Sequence, residues 1–489
     1  MRSLAIPAII FCLALAGCSS RANEGAVSIA VIGAEDAPFE TGNRLSYAGQ
    51  LVREGTSEGL VAINAQGDVV PAIAERWIFT DDGLSFFFRI RNADWPSGED
   101  LDAASVRQAM LDTIGRLDGT SLGLDLEKID EIRVMADRVL EIRLKSPMPE
   151  FLQLLAQPEL GLLREGRGTG PMRRLEEEDV IRLQAVPPQE RGLPERRGWE
   201  DKVLDVIVLG MEAERAVEAF RNGEVEVVLN GRLSTFPLSD IGPLSGGSLR
   251  LDAALGLFGL AFRNTDGVLA SAARREALSM AIDRSSLLQP FNVTGWEPSS
   301  SVVPDGFFTA ESGLQPAWIN QSLPQRRTVA AARISAWERE EGKPATLDIS
   351  LPPGPGSDLL YGQLLRDFAA IGVQLVRVDP GKKADLALVD KLARYAGARW
   401  YLNQFNCDVS KIICSPDADV LVDQSLYAAT PAEADMLLIE AANAMLARQV
   451  FIPLGAPLRW GLLRGGVDGF VENRWGRHPL FPMAIAPIS

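Results

Sequence analysis

Apolar positions fall into two rhythms along the chain, short β-branched or aromatic runs and longer stretches with helical spacing. Val27–Ile32 predicts a strand and Ser46–Val52 a weaker helix. Val69 to Trp77 leads through the Asp81-Asp82-Gly83 turn into Leu84–Arg91, a strand, turn, strand pattern. After Trp95-Pro96-Ser97-Gly98, Asp102 stands as the N-cap of a helix, with Ser105 close behind. Val203–Leu209 and Val225–Leu229 read as strands, and Ala213–Arg221 and Ala273–Ile282 as helices. Leu347–Leu351 and Ala384–Val389 read as buried strands flanking a helix over Leu359–Ala370, a βαβ unit. There are no heptads and no 20–50-residue repeat, so the class is mixed α/β. At 489 residues the chain is too long for one core and implies two or three domains.

The N-terminus follows a different rule. Arg2 precedes a short apolar run, Leu4 to Ala16, too short to cross a bilayer, so residues 1–17 read as an export signal. Leu15-Ala16-Gly17-Cys18 resembles the lipobox of bacterial lipoproteins, which implies acylation of Cys18, a tether over 18–25, and anchoring to membrane lipid. The expected location is periplasmic and membrane-anchored. Removal of the signal leaves a net charge of −17, from −16 for the whole chain, which argues against nucleic acid as a partner. Cys407 and Cys414 are the two cysteines beyond Cys12 and Cys18, and in an oxidising compartment they most simply form a disulfide. A zinc site needs more ligands than two thiols and the lone His478 supply.

Candidate chemistry is sparse. Gly55-Thr56-Ser57-Glu58-Gly59 fits the G-x-S-x-G elbow of serine hydrolases and His478 follows in the required order. An elbow needs a buried strand running into it, whereas Leu51-Val52-Arg53-Glu54 is charged and looks like a helix end. Leu351-Pro352-Pro353-Gly354-Pro355-Gly356-Ser357 has too many prolines for a phosphate cradle and reads as a rigid turn.

Six ordered landmarks resemble family 5 extracellular solute-binding proteins, the oligopeptide-, dipeptide- and nickel-binding class that serves ABC importers. They are Gly59 to Trp77; Asp81 to Val106; Gly168-Thr169-Gly170-Pro171; Arg263-Asn264-Thr265; Arg275 to Arg284; and Ile452-Pro453-Leu454 with Gly476 to Pro479. The resemblance implies a two-lobed periplasmic-binding-protein type II (cluster C) fold with an extra subdomain on the first lobe. Lobe I would be 26–255 plus 460–489, with 47–165 inserted, and lobe II 256–459. Crossings between lobes are expected near Leu257–Arg263 and Ile452–Trp460. It also implies a monomer without cofactor or metal, which captures a small-molecule or peptide-like ligand and delivers it to an inner-membrane ABC permease.

Asp385 to Tyr395 is similar to the family segment whose acid pairs with a ligand's α-amine, but Arg394 stands where that acid would be. The inversion implies a ligand not held by a free amine, with a carboxylate or phosphate for Arg394 to grip bidentately. Tyr395, Trp400, Tyr401 and Phe405 are expected as stacking walls, with Asn264 and Thr169 as further ligand-binding residues. The alternative is that Arg394 faces solvent and the aromatics belong to the core. A degenerate receptor acting as sensor or envelope scaffold is the second functional reading, and a hydrolase at Ser57 the third.

Overall fold

The computed structural model describes residues 25–175, 177, 180–242, 245–304, 306–308, 314–410 and 413–486. The expected signal, Cys18 and nearly all of the tether lie outside those residues.

Ala26–Ile32 is the centre of a seven-stranded sheet. Its order is Leu249–Ala253, Leu458–Leu463, Val227–Arg232, Ala26–Ile32, Asp205–Met211, Ile181–Ala185, Met172–Leu175. The central strand runs parallel to both neighbours and its interior is buried on both faces, which is why it reads as an unbroken apolar run. A second, five-stranded sheet has the order Gln374–Val378, Thr346–Ser350, Leu386–Leu392, Gly256–Phe262, Phe451–Gly455. The helix Pro355–Ala369 follows Thr346–Ser350 and returns to Gln374–Val378, which lies parallel beside it. The strand after the helix was not expected, because on this sheet edge it keeps Gln374 and Val376 exposed and lacks a clean apolar face. Leu386–Leu392 runs parallel on the other side of Thr346–Ser350.

The chain passes between the sheets twice, through Ala254-Leu255 and through Ala456-Pro457. Leu257–Arg263, expected as a crossing, is instead bonded into the second sheet, from Gly256 opposite Leu392 to Phe262 opposite Leu386. Gly256 makes the tight entry possible: its φ is +151° and a Cβ there would sit 2.0 Å from the Lys391 carbonyl oxygen.

A third, four-stranded antiparallel sheet (Ala74–Phe79, Ser85–Ile90, Val139–Leu144, Ile129–Ala136) lies within the 47–165 segment. Asp102 caps the helix Ala103–Gly115 by accepting from the Ser105 amide at 2.7 Å. In sequence this segment falls between strands of the seven-stranded sheet, but its core is continuous with that of the five-stranded sheet. Phe88, Ile142 and Phe151 belong to the same apolar cluster as Leu260, Tyr401 and Ile452, while the first sheet keeps clusters of its own. The seam between the second sheet and the rest of the molecule therefore has an apolar stretch against the subdomain and a polar stretch against the first sheet.

Candidate functional site in the seam between the two sheets

Arg394 follows the strand Leu386–Leu392 and precedes the buried helix Ala398–Asn403. Its guanidinium reaches across the seam and is taken by Glu159, with Nη1 donating to Oε2 at 2.5 Å and Nη2 to Oε1 at 2.6 Å. Glu159 sits in the short turn Pro158–Leu160, its side chain 2% exposed against 24% for Arg394. Burial pushes the Glu159 carboxyl up, but the charge and hydrogen bonds of Arg394 outweigh it and hold the group below its ordinary range. Gln157 fastens the same place, its Nε2 donating to the Arg394 carbonyl at 2.6 Å and its Oε1 accepting from Arg477 Nη2 at 2.8 Å. The bidentate face of Arg394, expected to grip a ligand anion, is thus occupied by the protein's own carboxylate.

Behind this clasp the groups are deeply buried. Both Glu54 carboxylate oxygens and Arg477 Nη1 have no hydrogen-bond partner among the described residues. Burial raises the Glu54 carboxyl to about 7, with Arg477 opposing and Glu159 reinforcing the shift. A cavity of about 290 Å³ borders Glu54 and Gln157 and is closed by Val61–Ile63 and Pro479 to Pro482, all outside the second sheet.

The expected aromatic walls are core residues. Tyr395, Trp400, Tyr401 and Phe405 are all buried in the cluster shared with the subdomain. The Tyr395 hydroxyl donates to Asp125 Oδ1 at 2.9 Å, and Asn403 Nδ2 donates to the same oxygen at 2.7 Å. Burial raises the Asp125 carboxyl to about 6 against the opposing charge of Arg399 and these two donors. Asn264 lies beyond the far end of Gly256–Phe262, eight residues from Gly256, so roughly 25 Å along the strand from the Arg394 end. Its side chain donates to Asp385. Thr169 is buried against the subdomain, its carbonyl accepting from Arg91. Neither is brought to Arg394.

Ser57 and His478 are likewise spoken for. Ser57 is the extended residue that ends the helix Tyr47–Thr56, and its hydroxyl donates to the Arg53 carbonyl at 2.9 Å. No helix starts there, as a nucleophile elbow requires. His478 Nε2 pairs with Asp252 at 2.9 Å and its ring stacks on Phe470. Cys407 and Cys414 form the disulfide expected of them.

On the polar stretch of the seam, Arg232, Arg459 and Asp252 are cross-strand neighbours and share one face of the first sheet. Asp252 is engaged by His478 and the Asn473 amide, and Arg459 pairs with Asp390 of the second sheet at 2.6 Å. The Arg232 guanidinium has no hydrogen bond or ion pair among the described residues; burial and Arg459 disfavour its charge, and Asp390, which pairs with Arg459, favours it. Glu159, Gln157, Asp125 and Arg232 were not expected. Glu159 carries a signal in hindsight, as an acid inside the apolar run Phe151 to Leu163.

Residues 68–333 match the model of the bacterial extracellular solute-binding proteins, family 5. The chain belongs to this family. Among curated relatives, the probable di/tripeptide-binding protein 5 of Pseudomonas aeruginosa is 25% identical over 490 residues, covering 86% of this chain and 88% of that protein. Among solved structures, the murein tripeptide binding protein MppA of Escherichia coli aligns with a TM-score of 0.78 at 17% identity, over 95% of this chain and 99% of that one. A structure of periplasmic murein tripeptide binding protein MppA described as the unliganded open form gives 0.64 at 18% identity, over 95% and 98%. These likenesses establish a shared two-lobed type II binding-protein fold.

Proposed function

We propose that this family 5 protein is the extracytoplasmic receptor of an ABC importer, capturing a small peptide-like solute between its lobes and handing it to an inner-membrane permease. Lobe I comprises 26–255 and 460–489, with 47–165 inserted, and lobe II 256–459. The observation that carries the reading is the architecture: two α/β sheets joined, among the described residues, by two short crossings, with charged side chains concentrated where they face each other. Such a joint permits hinge closure, and burial of solute surface supplies the differential affinity that drives it. The di/tripeptide-binding relative supports a peptide-like solute. The Leu15 to Cys18 junction supports a lipid anchor. Mass spectrometry of solutes released from the natively purified chain tests the reading, and calorimetry with short peptides then measures affinity.

In this reading Arg394 does not hold a ligand carboxylate. It and Glu159 form a clasp across the closed seam, with Tyr395, Trp400, Tyr401 and Phe405 as its apolar backing. A free α-amine gains nothing there. The clasp also favours a second reading, a receptor that closes on its own ion pair and serves as sensor or scaffold. That protein would release no solute and give no heat with any peptide.

A further inference from the structure

The cavity of about 290 Å³ behind the clasp is not part of the seam: every residue that borders it lies outside 256–459. It lies where three pieces of chain meet, the end of the helix Tyr47–Thr56 with the strand Val61–Ile63 after it, the short strand Val69–Pro71, and Pro479 to Pro482 near the C-terminus. Protein interiors hold few voids larger than a water molecule, and this one reaches the lower end of the size of small-molecule pockets, about 300 Å³. Its border is mainly apolar, with Val61, Val70 and Leu480 among the residues that form it.

One charged group on that border is only partly engaged. Arg191 donates through Nη2 to Glu58 Oε1, while its Nε has no partner among the described residues and its Nη1 makes no hydrogen bond to them. Glu58 is not its counter-charge alone. The other oxygen, Oε2, pairs with Arg91 at 2.7 Å, so two guanidinium groups share one buried carboxylate and the cluster keeps a positive charge. Arg91 also donates to the carbonyls of Ala72 and Thr169 and does not border the cavity, so the surplus reaches the cavity through Arg191. The turn that carries Arg191 is held in place: Gly192 follows with φ +69°, a Cβ there would fall 2.0 Å from the Asn92 carbonyl oxygen, and the Leu193 amide closes on the Pro188 carbonyl at 2.9 Å. Glu54 borders the cavity too, but burial raises its carboxyl to about 7, so below that pH it holds a proton and adds no repulsion toward an anion.

We infer that this cavity is a second ligand site, separate from the interlobe seam, which takes a small apolar carboxylate with its anionic end on Arg191 and its carbon skeleton among Val61, Val70 and Leu480. A charge-assisted hydrogen bond from Nη1 supplies the preference for an anion, and burial of the skeleton supplies affinity. The site does not depend on what the seam binds. Gln157 borders the cavity and also fastens the Arg394 carbonyl, so an occupant lies one side chain away from the clasp.

The test uses the mature full-length chain at about pH 6, where Glu54 holds its proton, with phenylacetate and phenylacetamide as probes of nearly equal size. Calorimetry is expected to show the acid binding about 10-fold more tightly than the amide, a preference lost in Arg191→Gln and partly kept in Arg191→Lys. Arg191→Gln leaves Glu58 paired with Arg91, and its unfolding temperature shows whether the fold is intact. A crystal structure of the wild type with phenylacetate needs no variant: the carboxylate within hydrogen-bond reach of Arg191 supports the site, and phenylacetate seated elsewhere or nowhere overturns it. Equal binding of acid and amide, binding of neither, or a preference that survives in a folded Arg191→Gln chain also overturns it.

Discussion

Two arginines face the same seam and meet opposite fates. Arg394, against the subdomain, finds a buried carboxylate from a turn 235 positions away and is backed by a continuous apolar core. Arg232, against the second sheet, stands beside Arg459, and it feels Asp390 only as a charge that Arg459 already holds at 2.6 Å. On the subdomain side the protein supplies its own counter-charge, and closure there is largely self-sufficient. On the sheet-to-sheet side two arginines share the one carboxylate of Asp390.

The contrast can be broken first by truncation. Arg394→Ala strands Glu159 in a buried place and is expected to cost about 3 kcal/mol in urea unfolding, the range for losing one partner of a buried pair. Replacing Cys407 and Cys414 together by Ser removes a cross-link of sequence separation 7 and is expected to cost about 2 to 3 kcal/mol, with the charged seam untouched. It therefore separates global loss of stability from loss of the clasp.

Acidity probes the groups buried near the clasp. The carboxyls of Glu54 and Asp125 are raised from ordinary values of 4.5 and 3.8 to about 7 and about 6, so the native state keeps protons that the unfolded chain has released. Their favourable contribution is complete below the ordinary values and is lost as pH rises through 6 and 7. Unfolding midpoints should therefore fall between pH 4.5 and 7.5, by on the order of 2 kcal/mol for Glu54, and Glu54→Gln should flatten that part of the profile. The smallest effect belongs to Arg232. Arg232→Ala breaks no side-chain hydrogen bond among the described residues, and the lost attraction to Asp390 is offset by relief from Arg459, so stability should change by less than about 0.5 kcal/mol. A loss as large as that of Arg394→Ala would erase the contrast.

Local order was legible in the sequence where side chains repeat a pattern. The Leu84–Arg91 strand, the Asp102 cap and the helix over Ala213–Arg221 all carry their own signals. The edge strand Gln374–Val378 does not, because only Leu375 of its five residues is buried and its sequence mixes polar and apolar residues on both faces. The seam was legible from one side only. Arg394 stood out as a cation in an acid's place, but nothing near it in sequence names Glu159, and the aromatics beside it read equally as cleft walls or core. Burial decided between those, through the shared core that Tyr395, Trp400, Tyr401 and Phe405 join with the subdomain. Arg232 was invisible because its place opposite Arg459, over the one carboxylate of Asp390, exists only once the strands assemble.

The most direct measurement compares tri-alanine with N-acetyl-tri-alanine by calorimetry on the mature chain. With Arg394, clasped to Glu159, standing where an amine-pairing acid would be, acetylation should leave the affinity within about threefold, well below the cost of losing a charge-assisted hydrogen bond. Submicromolar binding of the unmodified peptide that collapses on acetylation would show that the amine is gripped after all, and would contradict the account.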